Sequence, residues 1–262
     1  MIIRQARENG QSRRFAFFGR CLVAALVMVS AAACATVSPA PPPVPATKRF
    51  SADMSGHRWY YARFRMAWPV DTEPRLFVDT MLAREVVAPV LASRGGDIAL
   101  WRFHRRARRD DAGHQFSFIF YAPPEPADAI LDALNKSPAA ARLKDAGVVA
   151  AVSTGGYGGS GGGQPLSTTS DTNWSEAMQR AWPLYIDGVS RLWLALIEEA
   201  ATAQGMSEAP ADMDAWLAQY QAINATITAT WQNEGRHALL HHLNAIFGYE
   251  PIPVVEQRML RF

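Results

Sequence analysis

Three side chains late in the chain have a spacing that metal chemistry uses. In "NEGRHALLHHL", Glu234, His237 and His241 fall at i, i+3 and i+7, so one helical face would carry a carboxylate and two imidazoles. The HExxH pattern is not formed, and no fourth protein ligand is evident. The apolar periodicity also changes phase at Gly235, with Ile227 and Trp231 on one side and Leu239, Leu240, Leu243, Ile246 and Phe247 on another. A break there parts Glu234 from the histidines and turns His237 and His241 toward water. No Ser/His/Asp, Cys/His or paired-carboxylate arrangement stands out. We therefore expect no metal, no cofactor and no catalytic residue. A metal-dependent or hydrolytic enzyme built on Glu234, His237 and His241 is the alternative.

The second chemical signal is cationic. "WYYARFRMAW" (59–68) alternates as a half-buried strand does, and "ALWRFHRRA" and "HQFSFIFYA" do the same on either side of the turn-like "DDAG". One parity collects Tyr60, Phe64, Met66 and Trp68 with Trp101, Phe103, Phe116, Phe118 and Phe120, a core side. The other collects Trp59, Tyr61, Arg63, Arg65, Arg102, His104, Arg106, Arg108, Gln115, Ser117 and Tyr121. Guanidinium forks among rings suit carboxylates and phosphates. A single-stranded RNA platform would use the same chemistry, but "RFHRRARR" is no ribonucleoprotein motif and an export signal, described below, argues against nucleic acid.

Charge distribution bears on whether such a face stays open. The 262 residues carry a formal net charge of +2, yet residues 48–109 hold 13 basic and 6 acidic side chains, whereas residues 110–262 hold 8 basic and 17 acidic ones. We expect the acidic C-terminal part to cover the basic sheet, with an open ligand face as the other reading.

The elements that must position these residues follow in simple order. "EPRLFVDTMLAREVVAPVLAS" (73–93) has helical spacing, "PADAILDALNKSPAAARLKDAG" reads as a helix stopped at Gly147, and "VVAAVS" is a short strand. The order βαββαβ predicts an α+β fold of the ferredoxin-like kind: one antiparallel sheet, two helices on one face, and a C-terminal helical hairpin or small helical subdomain. The expected boundaries are a signal at 1–33, a Pro-rich linker at 34–56, the α+β domain at 57–154, a Gly-rich linker at 155–170 and a helical region at 171–262. The glycines lack the Gly-Lys-Ser/Thr ending of a phosphate loop, so a flexible connector is expected. Asn173 to Glu176 reads as a capping box. Two stripes follow, Trp174, Met178, Trp182, Tyr185, Val189, Leu192, Leu196 and Trp216, Tyr220, Ile223, Ile227, Trp231, both expected in the core.

The N-terminus carries an address. Five arginines and one glutamate precede an uncharged apolar run at 21–33, too short for a bilayer span, which is the order of a secretory signal. "SAAAC" followed by "ATVSPAPPPVP" resembles the lipobox of bacterial lipoproteins. The resemblance implies that Cys34 is acylated and becomes the mature N-terminus. With Ala35 next, it also implies outer-membrane sorting, facing the periplasm. "SRRFAF" resembles a twin-arginine signal except at Ala16, and ordinary Sec export is expected. After cleavage Cys34 is the last cysteine, so the mature chain has neither an internal disulfide nor a cysteine zinc site. Several acyl chains hold a protein to a membrane stably, and the prolines from Pro39 to Pro45 make a stiff spacer. The expected partners are thus a membrane, through Cys34, and an anionic envelope ligand or envelope protein.

Cys34→Ala should abolish lipid labelling and processing by the lipoprotein peptidase, while Cys21→Ala does neither. Mass spectrometry of the mature N-terminus checks this, and an unmodified residue other than Cys34 there contradicts it.

Overall fold

The computed structural model describes residues 54–158, 162–206 and 209–251. The apolar run at 21–33, Cys34 and the Pro-rich linker as far as residue 53 lie outside them. Four strands come first: β1 (Arg58–Met66), β2 (Leu100–Ala107), β3 (His114–Ala122) and β4 (Val149–Gly156). They form one sheet in the order β2-β3-β1-β4, and every neighbouring pair is antiparallel. The fold is therefore mixed α+β with a four-stranded antiparallel sheet and several helices.

The period-2 alternation has the consequence expected of it except at Trp68, which lies beyond the end of β1, half-buried under Arg109. Tyr60, Ala62, Phe64, Met66, Trp101, Phe103, Phe116, Phe118 and Phe120 are buried on one face. Between β2 and β3 the turn is held by Asp110, whose Oδ1 accepts from the Ala112 and Gly113 amides at 3.1 Å, with Gly113 at φ +62°.

A helical run over 77–94 packs on this face. It begins as α1 (Phe77–Leu82), widens into a π turn at Ala83–Val87 and resumes as α2 (Ala88–Arg94). Pro89 explains the widening: it has no N–H to give the Glu85 carbonyl, and its ring would crowd that oxygen in a regular helix. The helix expected over 126–147 is two, α3 (Pro124–Asn135) and α4 (Pro138–Asp145). Pro138 forces the break, and Ser137 caps the second helix by accepting from the Ala140 amide.

Two long helices follow, α5 (Glu176–Ala203) and α6 (Met213–Gly235). They join the same core: Ile197, Ala200 and Ala201 of α5, and Trp216, Tyr220 and Ile223 of α6, are buried with the sheet residues and with Met81 and Val86. The expectation that the acidic C-terminal helices lie over the basic face is thereby corrected. They lie on the aromatic side and along the edge of β2, because that is where unpaired backbone and apolar surface needed cover.

The edge contact is specific. Asp187 Oδ1 accepts from the Trp101 amide at 3.0 Å, and Ser190 Oγ accepts from the Phe103 amide at 3.0 Å while donating to the Ile186 carbonyl at 2.7 Å. Two outward-facing N–H groups of the edge strand thus find helix side chains instead of water or another chain. Inside α5, Pro183 leaves the Gln179 carbonyl without its helical donor, and the Ser170 hydroxyl supplies one at 2.7 Å.

α5 is longer than the strand it covers. Its 28 residues span about 42 Å, against roughly 27 Å for the eight residues of β2. Its first turns, ahead of Asp187, therefore run past the start of β2. Met178, Tyr185, Val189 and Leu192 are exposed, as is Trp231 at the far end of α6, which corrects the expectation that both stripes are core. Trp174 and Trp182 pack edge to face on each other, 4.9 Å apart, at that end of α5.

Ser190→Ala should lower stability by about 1 to 3 kcal/mol, because the Phe103 N–H loses its acceptor in a buried place. Urea unfolding measures it, and an unchanged midpoint contradicts the assigned edge contact.

Candidate anion-binding face

Strand register sets the other sheet face in rows. Leu100, Tyr121 and Trp59 form the first, and Arg102, Ile119, Tyr61 and Gly155 the second. His104, Ser117, Arg63 and Ser153 form the third, and Arg106, Gln115, Arg65 and Ala151 the fourth. The parity expected from the sequence thus brings Arg63, Arg65, Arg102, His104 and Arg106 onto one surface, with Arg108 just beyond β2.

One end of this surface is closed. Leu166 packs on the small cluster of Trp59, Leu100, Ile119 and Tyr121, with Tyr157 beside it. Trp59 donates its amide to Gln164 Oε1 and its indole N–H to the Leu166 carbonyl, and the Tyr121 hydroxyl donates to the Gln164 carbonyl. Gln164 also donates through its side chain to the Tyr157 carbonyl. The stretch 155–170, read as a flexible connector, thus begins inside β4 and, from Gln164 to Ser170, is tied to the sheet and to α5. Its composition is that of a linker, but one glutamine replaces the ladder partners the chain would otherwise lack.

The rest of the face is open, and its cations are unevenly paired. Arg106 holds Asp110 through two bonds, 3.1 and 2.6 Å, and Arg108 lies 3.9 Å from the same carboxylate. Among the described residues, Arg63, Arg65 and Arg102 have no carboxylate partner. Arg63 lies 3.8 Å from the centre of the Tyr61 ring and 5.8 Å from that of Tyr157. Arg102 reaches the Thr169 carbonyl at 3.4 Å, and its Nε is buried without a partner. Gly155 lets Tyr61 lie flat, since a Cβ there would stand 2.8 Å from the Tyr61 hydroxyl.

Electrostatics reports the same crowding of positive charge. His104 is held below the usual histidine range, first by loss of surrounding water and then by Arg102, Arg106 and Arg63. Burial lowers Arg102 as well. The hydrogen bond with Arg106 holds Asp110 below the usual carboxylate range, and the same bond raises Arg106. Arg106 thus meets none of the acids of the C-terminal helices expected to cover this face: its partner is Asp110 of its own hairpin. Where the face ends, a cleft of about 470 Å³ is lined by Arg65, Trp68, Arg108, Arg109 and His114.

The late histidines arrange differently. The helix widens into a π turn at Arg236–His241 before α7 (His242–Ile246). Glu234, His237, His241 and His242 are all exposed. The rings of His237, His241 and His242 stand with their centres 5.3 Å apart in each pair. Among the described residues no three His, Cys, Asp or Glu side chains are placed to hold a metal ion.

Two polar clusters went unread in the sequence. Asp79, fully buried on α1, receives Arg105 Nε on Oδ2 at 2.9 Å and faces His114 Nε2 with Oδ1 at 2.8 Å. In the π turn, Arg84 bonds Glu85, Glu198 of α5 and Tyr220 of α6. Burial opposes the Arg84 charge, yet the bonds to Tyr220 and Glu198 prevail and raise it, while burial and Glu85 raise Tyr220. An aspartate inside the apolar "FVDTML" was the available signal for the first cluster; for the second there was none. Both join helices to the core rather than form a reaction site.

Unfolded, His104 takes a proton near pH 6.5; folded, it resists protonation. The unfolded state therefore binds more protons as pH falls through that range, and stability falls with it. His104→Gln should flatten this decline between pH 7.5 and 5.5, read from urea midpoints. Equal slopes in both proteins contradict it.

Compared with known proteins, the chain matches no family model, no curated protein and no solved structure.

Proposed function

We propose that this chain is a lipoprotein of the bacterial cell envelope, anchored through Cys34 at the outer membrane and facing the periplasm, that binds an anionic envelope ligand on its basic sheet face. The observation that carries the reading is the open face on which Arg63, Arg65 and Arg102 meet no carboxylate among the described residues, beside two tyrosines and His104. Cations gathered without counter-charge on a rigid sheet are prepared for an anion that arrives from outside. Arg63 and Arg65 stand two residues apart on one strand, about 6.6 Å, which suits two anionic groups of one ligand. Lipid head groups and cell-wall acids both have that chemistry. The lipid anchor would keep the face within the envelope, where such ligands are dense.

A ferredoxin-like βαββαβ core is supported by the element order and by the strand order β2-β3-β1-β4, and α5 and α6 extend it. The role we propose is binding or assembly rather than catalysis: His104 and Ser117 stand in one row with Arg63, but among the described residues no hydrogen bond joins the imidazole to the hydroxyl.

Calorimetry on the full chain tests the reading, with pyrophosphate and oligogalacturonate as phosphate and carboxylate probes. At least one should bind, weaken as salt rises, and lose tenfold or more in affinity in Arg63→Gln/Arg65→Gln. That variant should keep its stability within about half a kcal/mol. Equal affinity in parent and variant, or no binding of either probe, overturns the proposal.

A further inference from the structure

A second candidate site lies on the opposite side of the sheet and does not rest on the reading above. Between α5 and α6 runs a groove of about 410 Å³. One wall is Leu192, Trp193 and Leu196 of α5; the other is Ile227 and Trp231 of α6 with Leu239 of the π turn. Its position follows from the packing: α5 lies along β2, with Trp193 edge to face on Phe103 at 5.3 Å, and α6 lies against α1 and α5, the two helices sharing the core at Ile197 and Tyr220. Gly235 shapes the far wall: a Cβ there would stand 2.7 Å from the Trp231 ring, so only glycine lets the indole fold across this turn.

The groove has one cation, Arg105, contributed by the end of β2. Arg105 gives Nε to Asp79 and Nη2 to the Leu76 carbonyl at 2.8 Å, and its guanidinium lies 4.7 Å from the centre of the Trp193 ring. Its Nη1 has no hydrogen-bond partner among the described residues. The single acid in the lining, Glu234, stands ten residues beyond Asn224 along α6, about 15 Å away. The groove thus has a cationic end beside the sheet, an apolar length, and a carboxylate at its outer rim. That polarity selects among apolar guests.

We infer that this groove holds a single hydrocarbon chain with an anionic head group, the head on Arg105 Nη1 and the chain between Leu192 and Trp231. At roughly 30 Å³ for each chain atom, the space a water molecule takes in the liquid, the groove has room for about a dozen. Apolar walls with few convergent polar groups are the ordinary make-up of a small-molecule site.

Dodecanoate, titrated into the full chain below its micellar concentration, tests this by calorimetry. It should bind once per chain and at least tenfold more tightly than dodecyltrimethylammonium, whose head has the opposite charge. Thr228→Trp, on an exposed position of the groove wall, should weaken dodecanoate at least tenfold with an unchanged melting curve and unchanged binding of pyrophosphate. Equal binding of the two amphiphiles overturns the inference, as does failure to bind dodecanoate. A dimer that Thr228→Trp dissociates, with no dodecanoate bound, also overturns it, in favour of a second copy of this chain as the occupant.

Discussion

The two hydrogen bonds from the edge of β2 to Asp187 and Ser190 decide where the C-terminal half of the molecule goes. An edge strand must give its N–H groups to something, and an unpaired buried amide costs about 1 to 3 kcal/mol. Once α5 takes that place, its apolar residues near Ile197 and Ala200 fall onto the aromatic face, and α6 follows through Tyr220 and Ile223. The helices are then occupied. They are unable to reach the arginines on the reverse side, and the basic face is left to whatever the turn of chain around Gln164 does not cover.

Buried polar contacts then fix the helices against the sheet. Asp79 ties α1 to Arg105 and His114, and Arg84 ties the π turn to α5 and α6. Such groups are costly to bury and costlier to leave unpaired, so they oppose sliding of the helices more than they add to net stability. The same placement leaves exposed the apolar walls between Leu192 and Trp231.

Parity made the sheet legible in the sequence. Alternating rings and arginines in β1 and β2 leave two ways to face a strand, and apolar burial chooses one. The basic face could be assembled from the sequence residue by residue for that reason. The helices resisted because a stripe shows which side of a helix is apolar but not how much surface is there to receive it; Met178, Tyr185 and Trp231 look no different from Ile197 and Tyr220 until the length of the sheet is known. Asp187 and Ser190 read as ordinary polar positions, since their partners lie 86 and 87 residues away. Charge asymmetry misled for a related reason: opposite net charges attract weakly through water, whereas edge amides and apolar area act at contact and settle the packing. Gln164 was hidden inside a linker-like composition.

The central claim is that the arginine face is open while the helices lie elsewhere, and the direct measurement is the reactivity of individual arginines in the native full chain. Brief treatment with an arginine-selective dicarbonyl, mapped by mass spectrometry, should modify Arg65 and Arg108 fastest, Arg63 next, and Arg84 and Arg105 slowest. Protection of Arg63 and Arg65 to the level of Arg84 would mean that the face is covered, and would contradict the account.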